Sequence, residues 1–218
     1  MMQRRELVAR ATLAALAVLL LMASARADDE SDLRGFRVGM RSQDLPHSGY
    51  QAFSCAAAPS RHVSGWQDYP SCPADASGLH EVRFQYDRSG LSLGLINDRY
   101  EGTKVGGHPM LLSVLINDQG LVAAIRMETD PEARPYLRKK AFLFGPQAMQ
   151  RYGEEGWSCA QRPPDQGEQP IGGIFIKEQC EKTTATRRFI VERALLRRPD
   201  QDLKNFVSMS RLTILQRQ

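Results

Sequence analysis

The clearest periodic signal lies at residues 110–129, MLLSVLINDQGLVAAIRMET, where two β-rich runs flank Asn117–Gly120. Asn, Asp and Gly tolerate the dihedrals of a tight reversal, so the segment predicts a hairpin. A second alternation, HEVRFQYDRSGLSLGLI, places Val82, Phe84 and Tyr86 on one face and Leu91, Leu93 and Leu95 beyond Gly90. It predicts another hairpin. Toward the C-terminus, IGGIFIKE, TRRFIVERALL and NFVSMSRLTIL read as three strands, the last two parted by a turn at Arg197–Asp202.

Helical signals are few. FRVGMRSQDL reads as an extended piece turning at Gly39–Met40, with Ser42 capping a brief helix that Pro46 and Gly49 stop. Asp130 as N-cap and Pro131 at the first helical position open EARPYLRKKAFLF, ending at Gly145–Pro146, and PQAMQRY adds a short turn up to Gly153. Each half therefore repeats an order: helical entry, glycine plus aromatic (GYQAFSC at Gly49–Cys55, GWSC at Gly156–Cys159), a cysteine loop, then antiparallel strands. The fold class expected is α+β, two tandem units, each a short helical segment packed on an antiparallel sheet. Residues 35–129 form the first unit and 130–218 the second, after a mobile acidic start at 28–34.

The N-terminus changes how the cysteines and the charge are read. Arg4, Arg5 and Arg10 precede the apolar run ATLAALAVLLLM, and Ala25 and Ala27 form an A-x-A site before DDE. That pattern predicts a signal peptide over residues 1–27 and a periplasmic or secreted location, by the general or the twin-arginine route; a membrane span needs about 20 apolar residues. Four cysteines, Cys55, Cys72, Cys159 and Cys180, follow it. In an oxidising compartment they predict disulfides, and local spacing favours Cys55–Cys72 and Cys159–Cys180. No C-x-x-C occurs and no histidine stands in ligand-like spacing to them, which argues against zinc and thioredoxin-like chemistry.

The full chain carries a formal net charge of +4, but without residues 1–27 it is close to neutral. Residues 28–130 are then acidic by about five charges and 131–218 basic by about six, so the halves either attract each other or steer a charged partner. No nucleophile elbow, phosphate loop, dinucleotide fingerprint or H-E-x-x-H is present, and no cofactor is indicated. The histidines His47, His62, His80 and His108 read as surface or loop residues.

Two features suit binding. SGWQDYPSC holds Trp66 and Tyr69 in a tethered loop, where they serve either a partner or a small core. The basic positions Arg138, Lys139, Lys140, Arg187, Arg188, Arg197 and Arg198 suit an acidic partner, anionic membrane heads, or simply solvent.

The order Val38–Gly39–Met40, short helix, glycine-aromatic, disulfide loop and sheet, given twice with two cysteine pairs, resembles the tandem-repeat architecture of β-lactamase-inhibitory protein and the small outer-membrane lipoproteins of the SmpA/OmlA type. The resemblance implies two helix-on-sheet units whose sheets present a concave surface to a protein partner. No cysteine lies at the cleavage point, which departs from the lipoprotein branch. The expectation is an exported, non-enzymatic binding module; a periplasmic hydrolase with a dispersed site and an envelope structural component are the rivals.

Overall fold

The computed structural model describes residues 32–87, 102–201 and 205–217; the leader, the Leu91–Leu95 limb and Asp202 lie outside them. Residues Asp32–Gln218 belong to one compact unit. Its frame is a single antiparallel sheet of ten strands. In chain order these are β1 (Tyr50–Cys55), β2 (Ala58–His62), β3 (His80–Tyr86), β4 (Lys104–Val105), β5 (His108–Ile116), β6 (Val122–Thr129), β7 (Ser158–Gln161), β8 (Ile176–Thr183), β9 (Arg187–Leu196) and β10 (Val207–Gln216). Across the sheet the order is β2-β1-β3-β5-β6-β10-β9-β8-β7, with β4 paired aside to β5. The predicted β5–β6 hairpin is present, and Asn117 Oδ1 accepts from Gln119 N and Leu121 N to fix its turn. β3 pairs with β1 and β5.

Both predicted disulfides form. Cys55, at the end of β1, joins Cys72, and Cys159 of β7 joins Cys180 directly opposite on β8. Antiparallel sheet is therefore as the sequence reads, but two separate helix-on-sheet units are not seen. The sheet runs unbroken from one half to the other through the β6–β10 pairing, from Glu128↔Arg211 to Ala124↔Leu215.

Among the described residues helical structure amounts to one four-residue turn, α1 (Pro135–Arg138), one two-turn helix, α2 (Phe144–Arg151), and 3-10 turns at Ser42–Asp44, Trp66–Ser71 and Ala141–Leu143. The sequence reading placed the helix start at Pro131 and its end at Gly145–Pro146; both are corrected. Pro135 has no N–H to donate back to Pro131, and it forces Arg134 into extended geometry (φ −52, ψ 141). Asp130 caps only a turn, accepting from Glu132 N. Pro146 lies in the first turn of α2, where its missing N–H costs no helical bond. The strand read at Ile171 starts only at Ile176, because Ile171–Ile174 closes a glycine turn on itself.

The inner face of the sheet carries Val82, Phe84, Leu112, Ile125, Met127, Val191, Leu212 and Ile214, all at most 2% exposed. Over the second half this face is covered by α2. Gly145 lets the helix sit close, since a Cβ would stand 3.2 Å from both Arg193 Cδ and Val191 Cγ1 and push them back by a few tenths of an ångström. β10 supplies the cap that the helix lacks: Ser210 Oγ accepts from Gly145 N and donates to Ala141 O, and Ser208 Oγ donates to Lys139 O. Over the first half the cover is aromatic. Phe36, Tyr50, Phe53, Trp66 and Phe84 meet edge to face or tilted at centroid distances of 4.6–6.0 Å. Within the stretch read as the acidic start, Asp32 is buried: it accepts from Val38 N and pairs with Arg187 Nε at 2.6 Å.

Candidate binding surface

Strand alternation sends every second side chain away from the helices. Because the sheet is unbroken, those outward positions line up in rows across strands of both halves. One row runs Ser54, Arg83, Ser113, Arg126, Thr213, Ile190, Glu181, Ser158, across eight strands. The next runs Leu111, Glu128, Arg211, Glu192, Gln179, Ala160. α2, the Ala141–Leu143 turn and the Trp66 turn all pack on the opposite, inner face.

Charges on the outer face are largely satisfied within it. Glu81 is 2.6 Å from Arg126 Nη1 and accepts from Ser113 Oγ; Arg188 meets Glu181 at 2.7 Å. Arg211 stands between Glu128 at 2.9 Å and Glu192 at 3.3 Å. Burial acts to lower its guanidinium pKa, but the two carboxylates outweigh burial and the net shift is upward. The Glu128–Arg211 pair also crosses from the acidic half to the basic half, as does Asp32–Arg187. Buried Arg126 Nε has no partner among the described residues. A preformed, crosslinked array of this kind offers rigid charged groups alternating with Ile190, Met209 and Leu111. Arg and Met are residue types enriched at interface centres.

Of these residues the sequence reading singles out only Arg188, although a signal for the others is present. Within each strand the signal is an even spacing: Arg126 and Glu128 share one face of RMET, Arg188 and Glu192 one face of RFIVERALL, and Arg211 one face of SMSRLTIL with Met209 and Thr213.

Apart from Arg188, the residues it did single out are placed elsewhere. Trp66 is 3% exposed, donates Nε1–H to Pro46 O at 2.8 Å, and is a core residue; the reading of its ring as a recognition surface is corrected. Tyr69 is half-buried with its ring against His80. Lys139 and Lys140 are exposed between α1 and α2, while Arg138 is half-buried with Nε donating to Ala133 O. Arg187 and Arg188 are taken up by Asp32 and Glu181.

The histidines divide as well. His47 and His62 are exposed; His80 is half-buried, one nitrogen on Cys72 O and the other 3.2 Å from exposed Asp118. His108 is buried at 7% exposure, which corrects its reading as a surface residue: it opens β5 against Phe144. Burial lowers its pKa below the usual imidazole value, and a hydrogen bond to Gln147 partly opposes that shift. The Tyr86 hydroxyl is buried without a partner on the protein; burial pushes its pKa up to about 12 against the pull of Arg34, whose guanidinium lies 4.1 Å from the ring centroid.

Two recesses flank α2. An apolar cavity of about 130 Å³ lies between it and the sheet, lined by Leu33, Met127, Phe144, Ala148, Tyr152 and Leu212. A wider cleft of about 470 Å³ is lined by Met149, Gln150, Cys159, Glu178 and Arg193. Cys159, Glu178 and Cys180 bring potential metal-ligand atoms within 4.8 Å, but both sulfurs are bonded to each other and Glu178 is held by Arg193. Among the described residues no helix is long and apolar enough to cross a membrane. Compared with known protein families, characterised proteins and solved structures, the chain matches none.

Proposed function

We propose that this is an exported binding protein that works without catalysis and presents the outer face of its sheet to a protein partner. The observation that carries the reading is the set of unbroken outer rows, up to eight strands wide, with most charges already paired and the helical cover confined to the other face. Pre-organised side chains lose little entropy on binding, which favours recognition by a rigid sheet. Two disulfides fit an oxidising compartment, in line with the leader pattern. On this reading the halves are tandem units, each with its own bridge, fused edge to edge through β6 and β10 so that two small faces become one.

Crosslinking and pull-down from the native envelope test it, comparing the wild type with a variant carrying Ile190→Asp and Met209→Asp. A discrete partner recovered by the wild type and lost from a variant of unchanged thermal midpoint is the expected result. Recovery of the same partner by both, or of none by the wild type, would sink the proposal.

A further inference from the structure

A second surface stands apart from the outer face. Among the described residues three large apolar side chains are exposed: Tyr136 at 55%, Leu143 at 39% and Ile174 at 52%. The register puts all three at one end of the sheet. Ser208 of β10 bonds Lys139 O and Phe142 N, which fixes the α1–α2 segment bearing Tyr136 and Leu143. Ser208 lies opposite Leu195, and Leu195 opposite Ile176, two residues after Ile174. Two strand spacings separate Ser208 from Ile176, roughly 10 Å.

The same end gathers cations. Arg134, Arg138, Lys139 and Lys140 lie on the α1 segment, and Arg197 and Arg198 follow Leu195 at the end of β9. None of the six is in an ion pair with a described residue, in contrast to Arg126, Arg188 and Arg211 of the outer face, which are neutralised. Of the described acids nearby, Asp165 and Glu168 are held by Lys177 and Asp130 is engaged, which leaves Glu132 and Asp200 as counter-charge among the described residues.

We infer that this end of the sheet docks reversibly on an anionic phospholipid surface, with the cations over the headgroups and Tyr136, Leu143 and Ile174 at the acyl boundary. A lipid surface fits better than an acidic protein. The apolar side chains stand on separate turns instead of forming one pocket, and the cations are spread likewise: Arg134, Lys139, Lys140 and Arg198 are exposed, while half-buried Arg138 and Arg197 donate to Ala133 O and Gln169 Oε1. Tyr136 and Leu143 stand on the helical segment that Ser208 fixes, and Ile174, Arg197 and Arg198 beside the ends of β8 and β9, so both groups lie at the same end of the sheet. Near an anionic leaflet each basic residue strengthens binding by about fivefold, and an interfacial tyrosine keeps its ring at headgroup depth. Since the outer face uses none of these residues, the inference does not rest on the proposed protein partner.

Vesicle co-sedimentation of the disulfide-intact protein tests the inference, using phosphatidylcholine alone against phosphatidylcholine with about one-third phosphatidylglycerol, at about 0.1 M salt, where screening reaches about 10 Å. The expected result is sedimentation with the anionic vesicles only, abolished near 1 M salt, where screening shortens to about 3 Å. Lys139→Glu with Lys140→Glu should weaken it at least tenfold, as should Arg197→Glu with Arg198→Glu on a different element; Tyr136→Ser with Leu143→Ser should weaken it while keeping the salt dependence. Ile190→Asp should leave it unchanged. Equal partition into neutral and anionic vesicles, no sedimentation, indifference to both charge-reversed pairs, or binding to soluble polyglutamate but not to vesicles would each overturn it.

Discussion

The two halves of the molecule share a covalent plan and differ in what covers the sheet. In the first, the Cys55–Cys72 bridge is buried at both ends and ties β1 to the turn that delivers Trp66 into an aromatic cluster. In the second, Cys159–Cys180 staples two neighbouring strands at the sheet edge with Cys159 exposed, and the cover is α2, held by serine hydroxyls of β10. The same device closes a core in one half and fastens an edge in the other. A disulfide spacing therefore reports chain topology, while the surrounding side chains decide what the bridge protects.

The sharpest way to break this contrast is to remove the aromatic cover. Trp66→Ala should destabilise the protein by about 3–5 kcal/mol, the usual loss for a buried tryptophan, as read by urea unfolding. A cost under about 1 kcal/mol would mean that the loop sits on the core without supporting it.

Paired Cys→Ala replacements come next. The bridges span similar separations, 17 and 21 residues, so each should contribute about 3 kcal/mol by its loop-closure effect. Accessibility should separate them instead: under mild reductant the Cys159–Cys180 bridge should open first, with thiol labelling at exposed Cys159 well before Cys55 and Cys72. Simultaneous labelling of all four would erase the distinction drawn between edge and core.

Asp32→Asn probes the link between halves. The asparagine still accepts from Val38 N but leaves Arg187, 15% exposed, without its carboxylate, so a loss of about 2 kcal/mol is expected in thermal or urea unfolding. Wild-type stability in Asp32→Asn would remove the strap from the account.

The smallest expected effect is on pH dependence. Burial holds His108 below the imidazole pKa of the unfolded chain, so the unfolded state takes up its proton first. Stability from this group is complete above the ordinary imidazole pKa of about 6.5, falls as the pH drops through it, and levels off below the folded pKa. Denaturation midpoints between about pH 7.5 and 5 should show a shallower slope in His108→Gln than in the wild type.

How much of this was legible in the sequence depends on the range of the interactions. The β5–β6 hairpin, the strands before the C-terminus and the two bridges rest on local signals, a turn of Asn117–Gly120 and cysteines about twenty residues apart, and they were readable. The β6–β10 junction was not, since it pairs residues more than eighty positions apart and nothing local marks Glu128 as the neighbour of Arg211. Trp66 was ambiguous for the same reason: its partners Phe36, Pro46 and Phe84 come from three separate segments. Helix limits around Pro135 and Pro146 were misplaced because a proline can stop a helix or open one, and tertiary caps from Ser210 decided which. The candidate surface was hidden likewise, as alternation announces a face but not which strands lie beside it.

The central claim is that the outer sheet face meets the partner, and site-specific photo-crosslinking in the native envelope tests it most directly. A photoreactive residue placed at Arg83, Arg126 or Ile190, on three strands of one outer row, should yield an adduct of the same size, while one at exposed Gln150 of α2 should yield none. An adduct at Gln150 with none along the row would contradict the account.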